Sequence, residues 1–479
     1  MLRGHNCSCI LLGLGVGYLD TMTLTEKIMA RASGKKSVQP GDNVWVNVDV
    51  LMTHDVCGPG TIGVFKREFG ANAKVWDREK IVIIPDHYIF TADSKSNRNV
   101  DILRDFVREQ GLKYFYDVID DPDGHWAFDA SKGQLKRQYG SNFAGVCHTA
   151  LPAKGHTRPG EILLGTDSHT CMAGAFGEFA TGIGNTDAGF VFGTGKLLLK
   201  VPETMRFWLE GKLQKGVMAK DVILECIGDI GFDGATYRAM QFQGPGAKAL
   251  NMDDRMTIAN MAIEAGGKNG IFEPDETTFT YVDERTKANG TKAKYEPLFC
   301  DSDSNQKFVY DKKFDLSKLE PTVACHPNPG IRKLARELGD IALDRAYIGS
   351  CTGGKTSDFL AFAEIIKGHK VKIDTFGVPA TPDVVRELQA MKMNASTVWQ
   401  VLEEAGVQMT ENASCAACLG GPTDTFGRLN KPMKCISATN RNFPGRMGHL
   451  ESQVFLASPY TVAASALTGH ITDPRELLS

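Results

Sequence analysis

Three of the twelve cysteines in this sequence stand in glycine-rich segments where they could hold a metal. Cys415 and Cys418 form a C-x-x-C in "SCAACLGGP", and Cys351 lies upstream in "GSCTGGKT". A C-x-x-C lets two thiolates reach one metal from a single turn of the chain. The spacing therefore makes these cysteines candidates for a metal centre.

The cysteines alone leave four interpretations open. A tetrahedral zinc site would need a fourth ligand, such as His148, His326 or Cys435. A redox pair would normally follow an early strand, whereas this pair lies late in the chain. An iron–sulfur cluster held by three cysteines would leave one iron open. The fourth interpretation is reduced cysteines in a tight turn.

The segment "GSCTGGKT", residues 349–356, also matches the phosphate-binding pattern G-x-x-x-x-G-K-[ST]. Its context fits, because "IALDRAYI" predicts a strand before it and "TSDFLAFAEIIKG" a helix after it. Few residues follow, however, and no apolar run ending in Asp follows to hold Mg²⁺. The alternative is a glycine-rich turn between strand and helix.

Polar residues that could perform acid–base chemistry or bind anions follow several predicted strands. A carboxylate beside an imidazole can orient it and raise its basicity. Arginine forks bind carboxylates with paired hydrogen bonds. The alternative interpretation is that these histidines are simply hydrogen-bonded within loops and that the arginines form ion pairs at the surface. The candidates are Asp86-His87, His148, Asp167-Ser168-His169, Glu264 with Asn260, and Asn440, Arg441 and Arg446.

The overall composition favours no nucleic-acid or membrane partner. The chain has 54 basic and 57 acidic side chains, a net charge of -3. No window reaches about 18 consecutive apolar residues, the length that a membrane-spanning helix needs. Scattered cysteines at this density are typical of a reducing compartment.

Alternating helical stretches and short apolar strands predict an α/β fold with mostly parallel sheets. We expect a leader over 1–21, interpreted as a secretory signal, a transit-peptide remnant or a poorly ordered segment. The folded part begins near Met22 with a helix capped by Thr23 or Thr25. Changes in composition divide the rest into units 22–202, 203–320 and 321–479, and "DERTKANGTKAKYEPLFCDSDSNQK" predicts a surface loop.

Four motifs, taken together and in order, resemble those of the aconitase family: "DSHT" (167–170), "IGSCT" (348–352), "CAACLGG" (415–421) and "NRNFPGR" (440–446). The resemblance covers nearly the whole chain from Met22. It implies three α/β/α units around a central [4Fe–4S] cluster site, without the fourth, swivelling domain of single-chain members. It also favours the cluster over the phosphate-binding loop.

The resemblance implies a role for each candidate. Cys351, Cys415 and Cys418 would hold one cluster with one open iron. Asp86 and His87 would protonate a departing hydroxyl, and His148, Asp167, His169 and Glu264 would surround the reacting oxygen. Substrate would be bound by Ser168, Asn440, Arg441 and Arg446.

The implied activity is that of a hydro-lyase, which moves a hydroxyl group by dehydration and rehydration of a hydroxy-dicarboxylate. The motifs are most similar to those of the branch acting on isopropylmalate, with the citrate, homocitrate and methylthioalkylmalate branches as alternatives. This branch implies a plastid location and a separate small subunit that supplies the missing base. An RNA-binding regulator is the rival from another class, and the near-neutral charge disfavours it.

Overall fold

A computed structural model describes residues 21–120, 128–129, 134–135, 139–300 and 305–478. The leader expected over 1–21 lies outside these residues except for Thr21. The first helix starts as predicted, because the Thr23 side chain accepts from the backbone N–H of Glu26 and Glu26 bonds back to Thr23. No helix of the described part is long and apolar enough to cross a membrane.

The α-helices of the described residues are α1 (Leu24–Ser33), α2 (Gly58–Phe69), α3 (Ser94–Gln110), α4 (Cys147–Ala153), α5 (Asn185–Thr194), α6 (Ala219–Ile230), α7 (Pro245–Ala249), α8 (Met252–Asn260), α9 (Glu276–Asn289), α10 (Ser350–Gly353), α11 (Thr356–Ile366), α12 (Pro382–Ala390), α13 (Val398–Glu404), α14 (Ala416–Leu419) and α15 (Pro459–Thr468). The 3₁₀ segments are Ser168–Phe176, Met261–Ala265, Leu316–Lys318, Ala335–Glu337 and Pro474–Glu476.

The strands in the same residues are β1 (Asn43–Asn47), β2 (Val50–Thr53), β3 (Ile81–Ile83), β4 (Tyr114–Phe115), β5 (Phe128–Asp129), β6 (Gln134–Leu135), β7 (Ile162–Gly165), β8 (Phe179–Gly182), β9 (Lys196–Lys200), β10 (Thr204–Glu210), β11 (Ala239–Gln243), β12 (Asn269–Phe272), β13 (Tyr310–Asp315), β14 (Thr322–Ala324), β15 (Arg332–Leu334), β16 (Arg345–Gly349), β17 (Asp374–Val378), β18 (Lys392–Met393), β19 (Ser396–Thr397), β20 (Gln408–Met409), β21 (Lys434–Ser437) and β22 (Gln453–Leu456).

The first large sheet is parallel and has the order β4-β3-β2-β7-β8. Its central strands β3, β2 and β7 are buried on both faces, as their continuous apolar sequences predict. Helix α3 packs one apolar stripe against it, with Val100, Leu103 and Phe106 almost fully buried. Alternating apolar and polar residues in "NVWVNVDVLMT" (43–53) predict one strand. This prediction was wrong, since β1 pairs with β9 in a separate ribbon while β2 enters this sheet.

The second sheet, β12-β11-β10-β13, is also entirely parallel and lies between residues 204 and 315. The surface loop expected after residue 282 was partly wrong, because helix α9 extends to Asn289 before the irregular segment begins. The third sheet has the order β15-β14-β22-β21-β16-β17-β20. It is mixed, with β14 antiparallel to both of its neighbours. We propose that these three sheets mark the units 22–202, 203–320 and 321–479.

The chemically distinctive residues follow strands that are neighbours in these sheets. In the first sheet, β3, β2 and β7 lie side by side and lead into Asp86-His87, His54 and Asp167. In the third sheet, the adjacent parallel strands β16 and β21 lead into Cys351 and Asn440. Carboxyl ends of parallel strands lie at one edge of a sheet, where α/β folds bind ligands. The fold therefore assembles the candidates from two sheets.

The 3₁₀ segment Ser168–Phe176 carries His169 and packs directly on the second sheet. A Cβ on Gly174 would lie 2.0 Å from the carbonyl oxygen of Gly270 in β12. Since this neighbour is backbone rather than a movable side chain, only glycine permits this close approach.

We predict that Gly174→Ala destabilises the protein by about 1–3 kcal/mol, the usual penalty of overpacking. Thermal unfolding of both proteins would measure it. Gly184→Ala is the matched control, because a Cβ there meets no atom within 4 Å and its φ of -75° suits alanine. Equal unfolding midpoints for Gly174→Ala and Gly184→Ala would contradict the packing explanation.

Candidate active site

Three buried cysteine sulfurs converge between the first and third sheets. Cys351 lies in α10, directly after β16, while Cys415 and Cys418 lie at the start and inside of the short helix α14. The Sγ atoms of Cys415 and Cys418 are 2.7 Å apart, and Cys415 also hydrogen-bonds Cys351. None of the three is more than 4% exposed, and all are free thiols.

Two side-chain amides point at the sulfur of Cys351. Asn260 Nδ2 donates to Cys351 Sγ at 3.0 Å, and Asn440 Nδ2 donates to it at 3.3 Å. The hydrogen bond from Cys415, together with the nearby histidines and Asn260, holds the pKa of Cys351 well below its usual range. The site therefore stabilises a thiolate, which is the form that binds metal.

Two of the three fourth ligands considered for zinc, His326 and Cys435, are engaged elsewhere, whereas His148 is engaged only through Nε2 and its buried Nδ1 has no partner among the described residues. His148 Nε2 donates to Asp167 Oδ1 at 2.7 Å, and His326 Nδ1 donates to the carbonyl of Asn442 at 3.2 Å. Cys435 is buried in β21, where its thiol donates to the carbonyl of Ile436. Three converging thiols with amide donors around them thus fit an iron–sulfur cluster with three protein ligands better than a closed zinc site.

The apolar run in "KIVIIPDHY" predicts a strand that ends at Asp86-His87. That strand was predicted too long, because β3 ends at Ile83 and the dyad Asp86-His87 lies in the loop after it. His87 Nδ1 donates to Asp86 Oδ1 at 2.6 Å. Burial alone would lower the pKa of His87, but the carboxylate of Asp86 outweighs burial and raises it to about 10. The imidazole is therefore protonated at neutral pH and able to donate a proton.

A second constellation joins His148, Asp167, His169, Glu264 and Arg441. His148 donates to Asp167, His169 Nε2 donates to Glu264 Oε1 at 2.8 Å, and Arg441 Nε donates to the same oxygen at 2.7 Å. Burial would raise the pKa of Glu264, yet Arg441 and His169 hold it below its ordinary value. Burial and Arg441 oppose protonation of His169, but hydrogen bonds to Asp167 and Glu264 raise its pKa to about 9.

The two constellations meet at Asp167. Its Oδ2 lies 3.9 Å from Nε2 of His87. Burial alone would raise the pKa of Asp167, but His148 and His169 outweigh burial and hold this pKa well below its usual range. Ser168 is beside them, with its Oγ 3.4 Å from His169 Nδ1. Arg446 lies further out, and its buried Nε has no hydrogen-bond partner among the described residues.

Sequence reasoning missed two residues at the end of β2. His54 is 2% exposed, its ring centroid is 4.7 Å from that of His87, and its Nε2 is 3.9 Å from Asp167 Oδ2. The carboxylate of Asp55 accepts the backbone N–H groups of Asp86, His87 and Tyr88 and so fixes the dyad loop. Both residues could have been found in the sequence, because "THD" follows an apolar strand in the same way as the other candidates do.

The phosphate-binding interpretation of 349–356 is wrong, because the lysine and threonine side chains that would have to bind phosphate contact other protein groups. Lys355 is 3% exposed, and its Nζ donates to Thr257 Oγ1 at 2.9 Å and to the carbonyl of Thr352 at 2.7 Å. It also pairs with Asp358 at 2.8 Å, and the Thr356 hydroxyl donates to Glu387. The lysine therefore fixes the backbone beside Cys351 and does not face a phosphate.

Comparison with known proteins agrees with this geometry. The family model described as "Aconitase family (aconitate hydratase)" matches residues 26–334 and 331–469. The chain is 59% identical over 462 residues to the chloroplastic 3-isopropylmalate dehydratase large subunit of Arabidopsis thaliana, covering 95% of this chain and 87% of that protein. It is 42% identical to the 3-isopropylmalate dehydratase large subunit 1 of Methanopyrus kandleri, covering 95% and 99%.

Among solved structures, the holo-form of Thermococcus kodakaraensis aconitase X matches with a TM-score of 0.47 and 12% identity, over 90% of this chain and 97% of that one. That likeness is too distant to add to the assignment, which rests on the family model and the sequence identities. The two matched ranges together cover residues 26–469, which include all three cysteines. The chain belongs to the aconitase family.

Proposed function

We propose that this chain is the large, catalytic subunit of a 3-isopropylmalate dehydratase, which isomerises 2-isopropylmalate to 3-isopropylmalate in leucine biosynthesis. The observation that carries the proposal is the meeting of three buried thiols with two charged carboxylate–imidazole groups and Arg441. Relatives at 59% and 42% identity carry this name, which supports isopropylmalate as the substrate over citrate, homocitrate and methylthioalkylmalates.

We propose one [4Fe–4S] cluster per chain, held by Cys351, Cys415 and Cys418. Three cysteine ligands would leave one iron without a protein ligand, and such an iron supplies Lewis-acid assistance to the loss of a hydroxyl group. Asn260 and Asn440 would hold the sulfur of Cys351 through the hydrogen bonds they already make.

The chain's own residues would bind the substrate and move protons. Arg441, oriented by Glu264, and Arg446, whose Nε has no partner in the described part of the chain, would bind the two carboxylates of the substrate. Ser168 and Asn440 would hydrogen-bond its oxygens. These contacts would fix the hydroxyl group beside the imidazoles.

His87, kept protonated by Asp86, would donate a proton to the departing hydroxyl. His148, Asp167, His169 and Glu264 would hold the released water and return it to the neighbouring carbon. His54 would contribute a further nitrogen beside Asp167. The base that removes the carbon-bound proton would come from the partner.

We propose that the partner is the small subunit of this dehydratase, in a heterodimer. The support is that the relatives are named large subunits and that each aligns over most of its length with this chain. We further propose the chloroplast stroma as the location, because the relative at 59% identity is named chloroplastic.

The test of the proposed function is turnover by the iron-reconstituted chain with and without a chloroplast-type small subunit. We expect the pair to interconvert 2- and 3-isopropylmalate, measured by chromatography of the products, and the chain alone to be inactive. Faster turnover of citrate than of isopropylmalate would favour the aconitase alternative. Full activity of the isolated chain would contradict the need for a partner.

Replacement of a cluster ligand should remove the metal. We predict about four irons per wild-type chain and a depleted, colourless Cys351→Ser, measured as iron and acid-labile sulfide after anaerobic reconstitution. Cys226→Ser is the matched control, because Cys226 is a fully buried cysteine in α6 that is not proposed as a ligand. Equal iron in Cys351→Ser and Cys226→Ser would rule out this ligand set.

The raised pKa of His169 makes a prediction for stability. A histidine whose pKa rises on folding stabilises the folded state fully below its unfolded pKa, and this contribution disappears as pH rises through its folded pKa, here about 9. The difference in unfolding midpoint between wild type and His169→Gln should therefore be largest near about pH 6 and shrink as pH approaches about 9. The exposed His369 provides the control variant His369→Gln. A constant difference for His169→Gln would contradict the assignment.

A further inference from the structure

A cavity of about 480 Å³ lies at the carboxyl edge of the second sheet. It is lined by the last residues of β11 and β12, Gln243 and Phe272, and by Gly244 and Glu273, which follow them. Carboxyl ends of parallel strands are where α/β folds bind ligands, and this volume is typical of small-molecule sites. None of the described residues that line it belongs to the candidate active site. We call it the second-sheet cavity.

Aromatic rings form much of the wall of this cavity. The rings of Phe242 and Phe272, which are paired across β11 and β12, stack with 5.1 Å between their centroids. Trp208 contributes a third ring from the neighbouring strand β10. Phe279 and Phe299 meet edge to face at 6.3 Å, and Phe299 is 49% exposed, so this side of the cavity opens to water. A bound apolar group would gain from leaving water and from contact with the rings.

Three polar side chains of the cavity keep unused hydrogen-bonding capacity. Gln243 is 6% exposed, and its Oε1 has no hydrogen-bond partner among the described residues. Glu273 accepts the backbone N–H of Cys300 through Oε1 at 3.1 Å, which leaves Oε2 without a partner in the same part of the chain. Lys248 is exposed, and its Nζ makes no hydrogen bond or ion pair with any described residue. A buried acceptor without a donor is costly, so Gln243 favours a ligand that donates.

The other two charged residues that line the cavity are already paired with each other. Arg255 is 1% exposed, and its two terminal nitrogens donate to the two carboxylate oxygens of Asp275 at 2.9 and 2.7 Å. Its Nε donates to the carbonyl of Leu250 at 3.1 Å. The charges that remain for a ligand are therefore one acid, Glu273, and one base, Lys248.

These free groups lie close to one another. Gln243 and Glu273 directly follow the register pair Phe242–Phe272, so they are neighbours on adjacent strands. Burial raises the pKa of Glu273 above its ordinary value, although Lys248 is close enough to act in the opposite direction. A ligand cation beside Glu273 would favour its charged form.

We propose that the second-sheet cavity binds a free amino acid with a large apolar side chain. The ammonium group of the ligand would donate to Glu273 and to Oε1 of Gln243, and its carboxylate would pair with Lys248. The apolar side chain would lie against the aromatic wall. A polyanion fits less well, because the cavity offers a single free lysine with Glu273 beside it. The site is separate from the proposed function and does not depend on it.

Isothermal titration calorimetry of the iron-reconstituted chain tests this proposal. We expect both L-phenylalanine and L-leucine to bind, and the tighter of the two identifies the preferred side chain. Phenylethylamine lacks the carboxylate and 3-phenylpropanoate lacks the ammonium group, so each should bind at least about tenfold more weakly than L-phenylalanine. L-serine, which lacks the apolar side chain, should give no binding. Absence of binding by both apolar amino acids up to about 10 mM would overturn the proposal.

Variants then locate the bound amino acid. Glu273→Gln keeps an acceptor for the N–H of Cys300 but loses the charge, and Lys248→Met keeps the apolar stem. Either should raise Kd at least about tenfold. The matched controls are Glu284→Gln and Lys287→Met, exposed residues of α9 outside the cavity, which should stay within about twofold.

Iron content and unfolding midpoint confirm that each variant is folded. Unchanged affinity in both folded cavity variants would place the amino acid elsewhere and contradict the proposal. Should a variant not fold, the ligand series on the wild-type chain still decides, because equal affinity for L-phenylalanine and both analogues would show that the charges of the cavity are not used. Turnover of isopropylmalate enters none of these measurements, so failure of the proposed function would leave them interpretable.

Discussion

The candidate active site depends on one constraint: each buried charged group must have a partner of opposite charge. Asp86, Asp167 and Glu264 are carboxylates whose burial disfavours ionisation, yet each is held in its charged form by imidazolium or guanidinium partners. Removing any partner would leave a buried charge uncompensated, which is far more costly than losing a surface ion pair. The positions of the histidines and Arg441 are therefore fixed as firmly as those of core side chains.

Pairing also explains how separate sheets are held together. Glu264, from the segment after α8, accepts from His169 of the first sheet's loop and from Arg441 of the third sheet's loop. Two buried lysines act in the same way: Lys220 at the start of α6 donates to the carbonyls of Ala438 and Thr439, and Lys355 donates to Thr257. Polar contacts at the centre thus link segments that are far apart in sequence.

Much of this could be predicted from sequence, because the chemistry follows strand ends and glycine-rich turns. The α/β class, the helix cap at Thr23 and the strand and helix around Cys351 follow from local patterns. The break between β1 and β2 could not be predicted, because alternation of apolar residues continues across it. It depends instead on Asp49, whose carboxylate accepts the N–H of Ile162 in β7, a tertiary contact.

The roles of His54 and Asn260 were hidden for a related reason. The i, i+4 spacing of Asn260 and Glu264 predicts that they share a helix face. The chain instead changes from α8 to a 3₁₀ turn between them, and they bond Cys351 and His169 separately. The Nε2 of His54 comes close to Asp167 only because β2 and β7 are adjacent in the sheet. Such roles depend on sheet order, which periodicity does not encode.

The supply of thiols by the third sheet and of imidazoles by the first has a consequence for the gene. Any fragment ending before the third sheet would keep the proposed proton donor His87 and the groups around the reacting oxygen but no cluster ligand. Any fragment starting there would keep the thiols without that proton donor. Neither could be selected for partial activity. Recombination inside this coding region would therefore have to exchange whole sheets whose side chains fit each other. A crossover between divergent relatives would succeed only where Glu264 still contacted both His169 and Arg441.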